Sequence, residues 1–236
     1  MGLKLPVHSL LFDLDDTLFD TYGQLVEPAS REACKAMVEK GLNATTEECF
    51  SERRKIFISA PRLNVYTELV RRFGIKPGAD PVAVENAGTS AFYDRKITED
   101  LRPFPDTHST LEALSSRYTL ILVTLGMLRT QQKKVDLLKL ERHFRQIHCV
   151  DFAKGDKKKQ IFEKILKESG ARPETFVSIG NRIDSEIRDA KELGMQTVLM
   201  DHGEYTHLKP ENPAEIPDGK ILHLKELLNL LSETRQ

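Results

Sequence analysis

A short apolar run, Val7-His8-Ser9-Leu10-Leu11-Phe12, stops abruptly at Asp13-Leu14-Asp15-Asp16-Thr17. A run of that length bounded by polar residues predicts a buried strand. From about Thr21 to Leu101 the pattern is helical. Pro28 and Gly41 bracket a first helix around Ala33, Met37 and Val38. Thr45 and Glu48 have capping-box spacing and open a second helix through Phe50 and Ile56. Val65, Leu69, Val70 and Phe73 form a third apolar stripe stopped by Gly74, and Asp80-Pro81 opens a fourth helix.

After Arg102-Pro103-Phe104-Pro105 the pattern changes to alternating strands and helices. Strands are predicted at Thr119–Thr124, Ile147–Val150, Thr175–Ile179 and Gln196–Met200, with a short one at Lys220–Leu222. Helices are predicted at Thr107–Arg117, through Lys134–Leu140, and at Gln160–Glu168, Ser185–Leu193 and Leu224–Leu231. This alternation predicts an α/β fold: a doubly wound, Rossmann-like parallel sheet with a small all-helical domain inserted after the first strand. The expected division is 1–19 with 102–236 for the α/β core, and 20–101 for the helical insertion. The two domains would meet where the first strand ends, which is also where open parallel sheets place ligands.

The 236 residues are 39% hydrophobic and 30% charged, which excludes a disordered chain. A formal net charge of -1, with no basic stripe studded with aromatics, argues against nucleic-acid binding. No apolar run reaches the ~18 residues of a membrane span, and the apolar start breaks at Asp13, so neither a membrane segment nor a secretion signal is expected. Cys34, Cys49 and Cys149 make neither a metal pattern nor a disulfide framework. A reducing, cytoplasmic setting is the simple expectation.

The candidate chemistry lies at the end of the first strand. Residues i and i+2 share a side, about 6.6 Å apart along a strand, so Asp13 and Asp15 can face one site. Two carboxylates that close repel. A divalent cation relieves this, or one carboxylate keeps its proton; a nucleophile paired with an acid/base would use that asymmetry. A polar loop with a helix cap is the plain alternative for a lone Asp-x-Asp.

The full string from Leu10 to Asp20 resembles the first motif of the haloacid dehalogenase superfamily in its phosphatase form. Leu120-Ile121-Leu122-Val123-Thr124-Leu125-Gly126 resembles the second motif. Lys157, five residues before Phe162, resembles the third-motif lysine, with Lys158 second in rank. Ser178 through Ile187 resembles the acidic fourth motif. The helical insertion matches that family's helical cap type.

The resemblance implies a phosphatase acting on a small phosphorylated metabolite, with Mg²⁺ as cofactor and Mn²⁺ as the alternative. Asp13 would be the nucleophile that takes the phosphoryl group. Asp15 would protonate the leaving oxygen and then activate water. Thr124, Gly126 and Lys157 would hold the phosphate, and Lys157 would neutralise developing charge. Asp13, the backbone carbonyl of Asp15, Asn181 and Glu186 would hold the metal. The family's usual aspartates are replaced by Asn181 and Glu186, with Asp184 between them, which implies weaker metal binding. Leu125 replaces an Asn often seen beside the threonine. A cap of this type closes over the site; Tyr22, Arg53, Arg54 and Arg62 are its candidate substrate contacts, each with ordinary cap surface as the plainer alternative. A phosphomutase uses the same aspartate pair, and the altered fourth motif also motivates a non-catalytic binding module on this fold. A dehalogenase is disfavoured, because that branch lacks the second aspartate.

Overall fold

The computed structural model describes residues 3, 4, 6–60, 63–95, 97, 100–151, 155 and 157–232. Two compact units emerge, Met1–Thr21 with Glu99–Gln236, and Tyr22–Thr98. The larger unit thus keeps Asp20 and Thr21, which the sequence reading placed in the insertion. Hydrogen bonds explain the difference. Thr21 Oγ1 donates to Asp15 Oδ1 (2.9 Å) and accepts from the Asp16 backbone N–H (3.1 Å), tying Thr21 to the loop after the first strand.

That strand, β1, covers Ser9–Phe12 and is buried along its whole length. The smaller unit follows. A wide helical turn over Tyr22–Val26 runs into α1 (Glu27–Lys40), with a proline in its first turn. Helix α2 (Thr46–Ser59) begins with the complete capping box: the Glu48 N–H donates to Thr45 Oγ1, and Thr45 N–H donates back to the Glu48 carboxylate. Helices α3 (Val65–Phe73) and α4 (Pro81–Tyr93) are capped by the side chains of Asn64 and Asp80. Ala33, Cys34 and Met37 of α1 pack with Cys49 and Ile56 of α2, Tyr66 and Leu69 of α3, and Val84 of α4. Arg53, a candidate substrate contact, is buried here, its guanidinium 5.3 Å from the Phe92 ring centroid. Arg54 is exposed and Tyr22 half-buried, while Arg62 lies outside the described residues.

In the larger unit the chain continues as α5 (Thr107–Ser115), β2 (Thr119–Gly126), α6 (Leu128–Leu137), β3 (Gln146–Asp151), α7 (Lys158–Ser169) and β4 (Phe176–Gly180). Then come α8 (Arg188–Glu192), β5 (Gln196–Met200), β6 (Gly219–Ile221) and α9 (Glu226–Leu230). The strands form one six-stranded, wholly parallel sheet in the order β3-β2-β1-β4-β5-β6. Central parallel strands are covered on both faces, which explains their continuous apolar runs. Leu11, Ile121, Val123 and Phe176 pack against Phe162 and Ile165 of α7 and Ala190 of α8. Strand β1 lies between β2 and β4, so its neighbours run off in opposite directions. This is the switch point at which such sheets bind ligands.

The predicted helix from Ser185 is reshaped. A wide π-type turn covers Ile183–Ile187 and α8 follows it. Among the described residues no helix is long and apolar enough to cross a membrane.

Gly41 ends α1 with φ 119°, and a Cβ placed there would lie 2.5 Å from the Cβ of Ala79. Gly170 ends α7 with φ 63° and open space around it. Gly170→Ala should therefore cost about 1 kcal/mol, the left-handed backbone penalty alone. Gly41→Ala should cost distinctly more, read as the larger fall in thermal unfolding midpoint.

Candidate active site

The loop after β1 turns tightly because its apolar residues all point inward. Leu14, Leu18 and Phe19 have no exposed surface, and the Leu14 carbonyl accepts from the N–H groups of Thr17 (3.3 Å) and Leu18 (3.0 Å). The polar residues between them are left at the sheet tip. Asp13 N–H donates to the Ile179 carbonyl (2.9 Å), which carries the β1–β4 pairing one residue beyond β1. The Asp13 side chain is therefore held at the end of the central strand, 6% exposed.

Lys158 meets it there. Its Nζ donates to Asp13 Oδ1 (2.6 Å) and to Glu186 Oε1, and its own side chain is 4% exposed. The sequence reading preferred Lys157 with Lys158 second; the structure brings Lys158 to Asp13. Lys157 has extended backbone at the cap of α7 and is exposed; its N–H donates to Gln160 Oε1. Lys158 is the first helical residue. It shares a helix face with Phe162 and Ile165, both buried in the core, so the face that anchors α7 also delivers Lys158 to the sheet tip.

Glu186 reaches the same place through the turn at Ile183–Ile187. Its other oxygen, Oε2, accepts from the Arg182 N–H (3.2 Å). Gly180 makes room for it, since a Cβ there would lie 2.8 Å from Glu186 Cγ. Asn181 is buried and donates Nδ2–H to the His202 carbonyl (3.4 Å), leaving its amide oxygen as the atom able to ligate a cation. Asp184 turns elsewhere. It takes a two-point bond from Arg182 (3.0 and 2.8 Å), whose guanidinium lies 4.3 Å from the Tyr205 ring centroid.

Asp15 accepts from Thr21 Oγ1 (2.9 Å), Gln131 Nε2 (2.7 Å) and Lys134 Nζ (2.6 Å). Gln131 also donates to Thr124 Oγ1 (2.6 Å), so it links the second-motif threonine to the second aspartate. Gly126 makes that link possible, because a Cβ there would lie 2.9 Å from Gln131 Cδ. Sequence reasoning missed Gln131 and Lys134. The available signal was two polar residues sharing the buried face of α6 with Val135.

The two aspartates titrate in opposite directions. Burial is the largest influence on Asp13 and pushes it up to about 7; Lys158 opposes the rise, and Glu186 and Asp15 add to it. Burial also disfavours ionised Asp15. There the Lys134 ammonium, with hydrogen bonds from Lys134, Gln131 and Thr21, wins and holds the carboxyl below its ordinary range. Lys158 is held above the ordinary lysine value, because Asp13 and Glu186 outweigh its burial.

The donor set around Asp13 is all oxygen, and its carboxylates outnumber the one buried lysine between them. A hard divalent cation fits that set. A second group, Asp16, Asp20 and His202, brings ligand-type atoms within 4.8 Å of one another beside the site. His202 Nε2 lies 3.1 Å from Asp20 Oδ1.

A sheet switch point carrying two aspartates, a buried lysine and a threonine on adjacent strand ends is the arrangement of a phosphoryl-transfer hydrolase. The chain belongs to the haloacid dehalogenase-like hydrolases, whose family model matches residues 10–200. Within them it falls in the phosphatase branch. It is 32% identical over 233 residues to a glyceraldehyde 3-phosphate phosphatase of Methanopyrus kandleri, covering 96% of this chain and 98% of that one. A Pyrococcus furiosus protein of the same name is 33% identical over 227 residues, covering 94% and 92%. In fold it is similar to YfnB of Bacillus subtilis, a structure of this type with magnesium bound (TM-score 0.67, 21% identity, 96% and 99% covered).

Removing the Lys158 cation leaves buried carboxylates facing each other. Lys158→Met should destabilise the protein by about 3 kcal/mol. Lys157→Ala, on the exposed cap position, should stay within about 0.5 kcal/mol. Urea unfolding of both variants measures the contrast.

Proposed function

We propose that this protein hydrolyses a small phosphomonoester of the triose phosphate kind, with glyceraldehyde 3-phosphate as the first candidate. The observation that carries the reading is the pairing of Asp13 Oδ1 with Lys158 Nζ at 2.6 Å on the tip of the central strand, with Asp15 two residues on. The near full-length relatives named glyceraldehyde 3-phosphate phosphatase support the choice of substrate.

In this reading an Asp13 carboxylate oxygen attacks phosphorus and the ester bond to the organic oxygen breaks, giving an aspartyl-phosphate. Asp15 gives the departing oxygen its proton, which makes expulsion of an alkoxide feasible. Asp15 then takes a proton from water, whose oxygen attacks the phosphorus and releases inorganic phosphate and free Asp13. The Lys158 ammonium and the Thr124 hydroxyl stabilise charge on the phosphoryl oxygens, in a buried setting where such interactions are strong. Asp13, the Asp15 carbonyl, Asn181 and Glu186 are the residues that would hold Mg²⁺, or Mn²⁺ in its place. The cation would supply neutralisation of the phosphoryl charge.

The test is phosphate release from a panel of phosphomonoesters headed by glyceraldehyde 3-phosphate, with Mg²⁺ or with chelator. Release should require the metal and fall at least about a thousandfold in Asp13→Asn. Retention of the phosphate on an organic product would instead indicate a phosphomutase, and no turnover with any compound a binding module. Asn181 supplies an amide where a carboxylate would add a charge. Asn181→Asp should therefore lower the Mg²⁺ concentration for half-maximal activity about tenfold. An unchanged Mg²⁺ titration would remove Asn181 from the metal shell.

A further inference from the structure

The chemistry above gives the Lys134 ammonium no contact with the substrate. Its side chain is 9% exposed, and its Nζ sits 2.6 Å from Asp15 Oδ1 and 5.9 Å from the Phe19 ring centroid. Burying an ammonium is costly, and a lysine is the most strongly hydrated of the cationic side chains. Holding Asp15 in place does not require one, since Thr21 and Gln131 already donate to that carboxylate.

Donor capacity separates the three side chains that bond Asp15. The Thr21 hydroxyl has a single hydrogen, which goes to Asp15. Gln131 Nε2 has two, directed to Asp15 and Thr124. Lys134 has three and gives one to Asp15. Of these three described side chains it is the one with hydrogens to offer a ligand.

Its place defines what that ligand carries. The leaving oxygen comes within about 3 Å of the Asp15 carboxylate to receive a proton. Lys134 Nζ is then within about 6 Å of the ester oxygen, two hydrogen-bond lengths. An oxygen on the carbon next to the phosphorylated carbon fills that gap.

We propose that Lys134 is a specificity residue: its ammonium hydrogen-bonds an oxygen substituent on the carbon adjacent to the phosphoester carbon, so the site selects small phosphate esters oxygenated at that carbon over plain alkyl phosphates. The inference rests on the phosphatase reading for the position of the leaving oxygen. Phosphorylated trioses and glycerol carry the required oxygen. Propyl phosphate has the same length without it, and its leaving group has the same need for an acid.

The experiment compares glycerol 3-phosphate with propyl phosphate. kcat/KM is measured for both in wild type and Lys134→Met. Dissociation constants for both are measured by calorimetry in Asp13→Asn, alone and combined with Lys134→Met. Wild type should prefer glycerol 3-phosphate, and Lys134→Met should cut that preference at least tenfold in both kcat/KM and affinity. Lys134→Arg, which keeps the charge, should retain part of the preference. Equal loss for both esters, with their ratio unchanged, would reduce Lys134 to a positioning residue for Asp15 and overturn the proposal. So would a wild type that does not distinguish the two esters, a result that needs no variant to fold. Failure of the phosphatase reading looks different: no phosphate release by wild type, with a binding preference that Lys134→Met still abolishes.

Discussion

One buried lysine sets the terms for the site. Lys158 lies between Asp13 and Glu186, with all three side chains nearly sealed from solvent. A single cation between two carboxylates leaves excess negative charge in a low-dielectric place, and burial of charge is tolerated only when it is paired. That demand reaches into the backbone. It fixes the residue at which α7 begins, because one position earlier the lysine is extended and exposed. It also accounts for the wide turn at Ile183–Ile187, which returns Glu186 to the sheet tip across Gly180. Turns of this type are frequent at functional sites, where they re-aim a side chain that a regular helix would carry away.

Much of the architecture was legible because central parallel strands must be apolar on both faces. Leu10–Phe12 and Leu120–Val123 announce themselves in this way, and acids directly after such a strand mark its end as a site. The capping box at Thr45 and Glu48 was equally readable, being wholly local. The lysine was harder. Within Lys157-Lys158-Lys159 the choice depends on the phase of a helix whose start the run itself obscures. The decisive cue was the face shared with Phe162 and Ile165. Gln131 and Lys134 were not legible as site residues, because their partner Asp15 lies 116 and 119 residues away in sequence. Local pattern showed only a helix; the topology that puts β2 beside β1 makes them neighbours of the acid.

Gly126 and Gly180 show the same limit from the other side. Each sits at a strand end and reads in sequence as a turn residue or an opening for phosphate. In the fold each makes room for a side chain packed at the sheet tip, Gln131 in one case and Glu186 in the other. The constraint is steric and long-range.

The ionisation of the two aspartates completes the physical picture. The proposed chemistry needs Asp13 charged to attack and Asp15 protonated to donate. The free site biases both the other way: burial pushes Asp13 up to about 7, and Lys134 holds Asp15 below the ordinary carboxylate range. Ligands reverse both biases by simple electrostatics. A divalent cation beside Asp13 favours its anion, and a phosphoryl group arriving with negative charge near Asp15 favours the neutral acid. A ligand oxygen that draws the Lys134 ammonium away from Asp15 acts in the same sense, since it removes the cation that holds Asp15 ionised. In the proposed chemistry, charge placement therefore opposes the reactive ionisation of both aspartates, and bound metal and phosphate would each relieve one of them.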